Sequence, residues 1–361
     1  MATFNGQLKV NEVIGALFNM IISQWVYADN VEGLDTSLVD AARVDGGLYG
    51  DTKLYIATDV LKSVEWGADD EAENLLATHR PPAPKTQAIT LDIFRQISLT
   101  IDNYMSKRAF GDEGTFSLFN GTILGWVGDT KKVYDNTTYN TFIGTHTATS
   151  ETQNINVSLP VVEGDNEATN RLQAQTIAKT VADIITDLKD VSRDYNDNSF
   201  MRAFRPEDLV IVWNAEVYNK ITKLDLPTIF HKDGLFESMK TYVLPAKYFG
   251  DINTESGTSD SLNLRTRVLG EGDYEGSHLF AGELFADDSA YDANTTYNVN
   301  ANIACKIMHK DSVPYMSAFE VGTSFFNPKS LTENHYLTFG RNELEHLKNY
   351  PFITVKANPA S

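Results

Sequence analysis

The chain has little sulfur, little positive charge and no long greasy run, and each shortage removes a class of protein. A single cysteine, Cys305, excludes an intramolecular disulfide framework; it reads as a small buried hydrophobe. No stretch reaches the ~20 continuous apolar residues that span a bilayer. The nearest, residues 10–26, is broken by Asn11, Glu12, Asn19, Ser23 and Gln24. Lys9 alone does not make the basic start of a secretory signal, so a protein made and kept in a cytoplasm is expected. Lysine and arginine number 30 against 49 aspartates and glutamates, a net charge of −19, which argues against a protein that grips phosphate backbones. That balance suits either a general soluble protein or a container for DNA. Hydrophobic content of 42% and charged content of 22% are those of an ordinary globular protein, which excludes disordered and collagen-like chains. At 361 residues there is material for two or three domains.

Reactive motifs are missing too. There is no GxxxxGK[ST] loop, no GxSxG elbow and no HExxH. Gly270, Gly272 and Gly276 imitate a phosphate loop, but the third glycine is one place late and no buried strand precedes it, so an acidic surface loop is expected. Asp194, Asn196 and Asn198 match the opening of a calcium loop. The match breaks at Ser199, where glycine is needed, and at Arg205, where a bidentate glutamate belongs. Glu343 and His346 have the spacing of a di-metal helix, but a second pair is missing, and a solvated helix face is expected. No catalytic, cofactor-binding or metal-binding residue is assigned.

What is there begins with the stretch 86–144. From Ile89 the odd positions are Ile89, Leu91, Ile93, Arg95, Ile97, Leu99 and Ile101, and the even ones are polar except Phe94. A period of two predicts a long strand. Ile93, Ile97 and Ile101 would also fit a helix, but the β-branched content and the prolines at 81, 82 and 84 favour the strand. Asp112 and Glu113 then suit a helix N-terminus. Phe116, Phe119, Ile123, Trp126, Val127 and Tyr134 continue an apolar stripe at helical spacing. Gly121, Gly125 and Gly128 weaken this helix by about 1 kcal/mol each relative to alanine. Thirty or so residues make a girder of ~45 Å.

Around this stretch, Val10, Val13, Ile14, Leu17, Phe18, Ile21, Ile22 and Trp25 form a helical stripe. It docks either on the protein's own core or on a neighbouring copy, as an N-terminal arm. Residues 53–66 read as extended, and with the strand from Ile89 they make a hairpin arm. A two-stranded arm is marginal alone, so its apolar face should pack on a neighbour, and Ile97→Asp should impair assembly while leaving the subunit folded. Asp165 or Asn166 caps a helix to Asp190 whose core face is Leu172, Ile177, Val181, Ile184, Ile185, Leu188 and Val191. Residues 209–213 are a continuous apolar run, hence a buried strand, and Asn214 caps a short helix, 216–224. A strand at 242–245 completes a compact α/β layer. Residues 250–300 are loop-rich, and strands are expected near 303–308, 319–326, 335–339 and 352–355.

This order of elements, with RLQAQTIAKTVADII, DLVIVWNAEVYNKITKL and YVLPAKYFG in sequence, resembles the major capsid proteins of tailed phages with the Hong Kong 97-type fold. KTQAITLDIFRQISLTIDNYMSKRAF and LFNGTILGWVGDTKKVYDNTTYNTFIGT are also similar to that family. The resemblance implies an α+β fold with an N-terminal arm at 1–50, an extended-loop (E-loop) hairpin at 51–105 and a spine helix in a peripheral domain at 106–166. An α/β axial domain would follow at 167–305, with return strands of the peripheral domain at 306–361. It also implies a non-enzymatic structural subunit that self-assembles into hexamers and pentamers of an icosahedral bacteriophage head around double-stranded DNA, without cofactors. Other copies of itself would be its main partners, with a separate scaffolding protein, since no long coiled-coil extension precedes the fold, a portal and room for a decoration protein. The virion would be its location after assembly in the host cytoplasm. The rival is a phage tail or surface module that contacts carbohydrate through Tyr274, Tyr291 and Tyr297. A cytoplasmic enzyme with a dispersed carboxylate site is a third reading.

Overall fold

A computed structural model describes residues 31, 33–46, 51–63, 78, 80–102, 113–223, 239–253, 296–299 and 302–359. The stripe at 10–25, the cap Asp112, the glycines at 270–276 and most of 250–300 lie outside the described residues. In chain order the first elements are α1 (Ser37–Ala41), β1 (Arg43–Asp45), β2 (Thr52–Ala57), β3 (Lys85–Asp102) and α2 (Glu113–Thr145). Next come β4 (Asn154–Leu159), α3 (Asn166–Lys189), β5 (Leu209–Asn214), α4 (Ala215–Lys223) and β6 (Lys240–Leu244). The last are β7 (Gly250–Asn253), β8 (Thr296–Val299), β9 (Ile303–His309), β10 (Tyr315–Asn327), β11 (Thr332–Asn342) and β12 (Phe352–Pro359).

The strands form two five-stranded sheets, ordered β4-β12-β9-β5-β6 and β1-β10-β11-β3-β2, and a ribbon of β7 and β8. The first sheet is buried on both faces because β5 is apolar at every position before Asn214. Leu209, Ile211 and Trp213 join Ile177, Val181 and Ile184 of α3 in one core. Val210 and Val212 turn to the other face and meet Tyr139, Phe142 and Ile143 of α2. The result is helix, sheet, helix. β9 crosses the division expected at 305/306, and β12 shares this sheet with β5 and β6.

Helix starts follow local chemistry. The Asp165 carboxylate accepts from the N–H groups of Glu167 and Ala168, both at 3.0 Å, as the N-cap of α3. Asn214 caps α4 by accepting from Glu216 N–H at 3.1 Å while its amide donates to Ile303 O at 3.0 Å. Leu172 and Val191, expected in the core face of α3, are exposed instead. Leu172 lies in the helix's first turns, outside the core cluster that begins at Ala174, and Val191 follows the helix end at Lys189.

α2 runs for 33 residues, ~50 Å at 1.5 Å per residue. It touches both sheets: Tyr134 and Val127 pack with Ile97, Leu337 and Phe339 on the second, and Tyr139 to Ile143 pack on the first. The side chains of Phe116, Phe119 and Ile123 lie outside what is described. Its most buried part is a polar run, in which Asp135, Asn136, Thr137, Thr138, Asn140 and Thr141 are all inaccessible. The hydroxyls of Thr141 and Thr145 donate to the carbonyls four residues earlier, at 2.7 Å each, and the Asn140 amide donates to Asn136 at 3.1 Å. These bonds within one helix satisfy part of the buried polar run, while Thr138 Oγ1 is buried with no hydrogen-bond partner among the described residues. Gly144 is required by a close approach, since a methyl there would overlap the carbonyl of Tyr248.

The hairpin arm differs from expectation. β3 does run from 85 to 102 with Ile89, Leu91, Ile97 and Ile101 buried, as the alternation predicts. But β2 covers only residues 85–90 of it, and residues 91–102 pair with β11 of the same chain. β2 ends at Ala57 rather than at 66. Ile97 is therefore inside the subunit's own core, and the expectation that Ile97→Asp spares the fold is corrected.

Candidate assembly surfaces

Three features set what the subunit presents to its surroundings: the anchored hairpin, the far end of the second sheet, and the polar junctions that join the layers.

The hairpin is tied down at the end where β2 stops and β3 starts. Asp59 accepts from Arg193 at 2.8 Å and from Met201 N–H at 3.0 Å, and these bonds hold its carboxyl down at about 2. The Lys85 ammonium donates to Asn198 O at 3.0 Å. The Gln87 amide donates to His346 O at 3.0 Å and accepts from Lys348 N–H at 3.0 Å. Tyr55 turns inward against the cluster of Ile89, Leu91, Met316 and Leu347. By the period of two its neighbours turn out: Leu54 is 58% exposed and Ile56 63%. Val60 and Leu61 continue this apolar surface past the strand end. Contiguous apolar exposure of this kind marks an interaction site.

The second surface is the far end of β10 and β11. β1 pairs with β10 only from Tyr315 to Ser317, and a register break follows between Ala318 and Glu320. Beyond it, Val321, Phe325, Phe326 and, at the turn, Leu331 are exposed.

Two polar junctions hold the layers. Asp135 of α2, 1% exposed, accepts from Tyr315 Oη at 2.6 Å, Arg43 at 3.0 Å and Lys131 at 3.0 Å. It thus pins β1 and β10 to the helix. Burial, reinforced by the Asp135 charge, holds the Tyr315 hydroxyl well above the usual phenol range. The second junction lies at the end of α2. His146 Nε2 is 2.7 Å from His346 Nδ1, and His346 Nε2 lies 3.0 Å from Asp197 Oδ2. Lys306, fully buried, donates to His146 O at 2.7 Å and to Thr354 Oγ1 at 2.8 Å. Glu343 and His346 sit on no helix: both follow β11 in irregular backbone, and His346 is buried, so the expected solvated helix face is corrected. The histidines converge from positions 200 apart, which spacing along the chain could not reveal.

This junction predicts an acid response. Burial, then the nearby His346 and Lys306 charges, push His146 down to about 3 from 6.5. Unfolding lets it bind a proton, so stability is full above about pH 6.5 and falls as pH drops toward 3, by up to about 1.4 kcal/mol per pH unit. Urea unfolding of the subunit between pH 7 and 4.5 should show this slope, and His146→Leu should flatten it; an equal slope in the variant refutes the assignment.

Among the described residues no group of three or more His, Cys, Asp or Glu side chains could hold a metal ion. Asn196 of the broken calcium loop is buried and spent on Phe200, donating to its carbonyl at 2.7 Å and accepting from its N–H at 2.8 Å. Cys305 is fully buried, and burial pushes its thiol well above its ordinary range. A groove of about 120 Å³ lies beside Tyr55 and Lys348, and a more open one of about 310 Å³ lies beside Val127, Thr323 and Leu337. No described helix is long and apolar enough to cross a membrane.

The fold has solved counterparts. A chain in the capsid structure of Staphylococcus phage Andhra matches at a TM-score of 0.59 and 11% identity, over 99% of this chain and 95% of that one. A chain from the structure of the head fiber and inner core protein gp22 of native bacteriophage P68 matches at 0.62 and 12%, with the same two coverages. At such identities the likeness concerns the fold, and that fold is the Hong Kong 97-type α+β arrangement. A search of curated proteins finds no match. The Phi29-like phage major capsid protein family matches residues 2–341. The tied hairpin, the helix that joins two sheets and the exposed apolar edges are thus those of a shell-building subunit, and the chain belongs to the Phi29-like phage major capsid protein family.

Proposed function

We propose that this subunit closes into hexamers and pentamers of an icosahedral head that encloses double-stranded DNA without reading its sequence. The observation that carries this reading is the exposure of Leu54 and Ile56 on a strand whose other face is anchored in the subunit. Obligate assemblies bury on the order of 2,000–5,000 Å² per interface with apolar centres, and these side chains supply such a centre. In this reading residues 1–50 are an N-terminal arm, 51–105 the E-loop, 106–166 the peripheral domain with its spine helix, 167–305 the axial domain, whose sheet also takes in β9 and β12, and 306–361 the remainder with the return strands β10 and β11. A scaffolding protein guides closure in the host cytoplasm, a portal occupies one vertex, and a decoration protein is an optional addition. The net charge of −19 keeps the wall from gripping its contents. The subunit performs no catalysis.

Leu54→Asp with Ile56→Asp tests it. Both side chains point to solvent in the single subunit, so circular dichroism and melting should match wild type, while electron microscopy of the co-expressed scaffold and subunit should show closed particles only for wild type. Wild-type-like particles from the double variant would refute the role of this edge. The carbohydrate reading gains no support: Tyr274 and Tyr291 lie outside the described residues, as does the Tyr297 side chain.

A further inference from the structure

The second sheet ends in an edge that no other strand covers among the described residues. From Glu320 to Asn327, beyond the last β1 partner at Ser317, no described residue pairs with the side of β10 that faces away from β11. Eight residues at ~3.4 Å each present ~27 Å of backbone donors and acceptors. Proteins blunt such edges with lysine, proline, bulges or a covering element. Here the one charge is Glu320, at the inner end, and Val321, Phe325 and Phe326 are 44%, 62% and 50% exposed.

The side chains along this edge complement their own reverse. Val321, Thr323 and Phe325 pair in register with Thr338, Tyr336 and Asn334 of β11, which in turn pair with Gln96, Ser98 and Thr100 of β3. They therefore share the face opposite the one that carries Ile97, Leu337 and α2. A two-fold axis perpendicular to the sheet keeps faces matched, so residues of equal parity must oppose each other. Centred on Thr323, the axis sets Val321 of one copy against Phe325 of the other, and the same pair again beyond Thr323. Aromatic and β-branched pairs are among the favoured cross-strand neighbours. Centred on Ser324 instead, it would set Val321 against Asn327 and Phe326 against Gly322, and both apolar pairs are lost.

We propose that β10 of one subunit pairs antiparallel with β10 of a second copy about a two-fold axis at Thr323, joining two sheets into one of ten strands. The proposal rests on the shell reading for its occupant, a second copy of this chain, and goes beyond it in naming the contact and its register. It is an isologous contact, distinct from the hairpin edge at Leu54 and Ile56.

Cysteine substitution tests it. Across an antiparallel pair, opposed Cα atoms lie ~4.5–5.5 Å apart, within disulfide reach. Ser324 would oppose Gly322, leaving the two copies of residue 324 on a diagonal of ~7 Å or more, beyond that reach. The native Cys305 is buried and silent. Full-length Thr323→Cys, oxidised as purified, should run as a disulfide-linked dimer without reductant, and Ser324→Cys as a monomer. Electron microscopy of wild type separates the two readings. Closed particles with no Thr323→Cys dimer overturn the edge pairing alone. A dimer from Ser324→Cys overturns the register. A wild type that stays monomeric at every concentration overturns the shell and the pairing together.

Discussion

Asp135→Ala should destabilise the subunit by about 3–5 kcal/mol, the cost of leaving buried charge without its counter-ion. The carboxylate is the shared acceptor for Arg43, Lys131 and Tyr315, from three different segments. Arg341, 4% exposed, donates to Oη of Tyr134, the residue next to Asp135, at 2.9 Å and adds a further buried cation. Removing one anion thus exposes several positive groups to their neighbours' fields inside a poorly solvated site. Arg43→Ala should cost far less, on the order of 1 kcal/mol, because that side chain is one-third exposed and can return to water. Asp135→Asn should fall between, keeping the bond from Tyr315 without the charge. Chemical denaturation of the three variants checks the order. Equal losses for Asp135→Ala and Arg43→Ala would show that the carboxylate is not a hub.

Ile97→Asp should abolish folding of the subunit. Ile97 is 7% exposed and packs against Tyr134 and Phe339 where α2 crosses the second sheet. The substitution removes a packed isoleucine, worth ~2–5 kcal/mol by truncation, and adds a carboxylate with no partner in an apolar cluster. Together these approach the whole ~5–15 kcal/mol by which a domain is stable. Loss of the circular dichroism signal and of soluble yield is expected, with Ile97→Val reduced by only ~0.5–1.5 kcal/mol. A folded Ile97→Asp subunit that merely fails to assemble would restore the view of β3 as a projecting arm. The contrast with Leu54→Asp is informative, since both positions lie in one sheet and differ in what covers them.

The elements were largely readable from periodicity. The alternation from Ile89 and the apolar run before Asn214 specify β3 and β5, because each records which faces are covered. Of the two caps the sequence offers for α3, Asp165 and Asn166, the helix uses Asp165. What could not be read is pairing at long range. Nothing in residues 91–102 announces β11 as their neighbour, so β3 was expected to project when it is enclosed by its own chain. The polar run from Asp135 to Thr141 is buried, with Asn140 and Thr141 bonding within the helix and the Asp135 charge met by Lys131 of the same helix and by Arg43 and Tyr315 from two strands. The meeting of His146, His346 and Asp197 belongs to the same class. The exposed apolar edges, by contrast, were foreshadowed as surface that one copy cannot cover, though their residues were not singled out.

The continuity of α2 across both sheets has a mechanical consequence. A rod held by one sheet through Val127 and Tyr134 and by the other through Phe142, Ile143 and Gly144, anchors spread over ~26 Å of its axis, resists a change in tilt between the two layers. Outward force on either layer is then shared along the rod's length instead of concentrating at a seam, and the subunit yields as one stiff tile whose give lies at its margins.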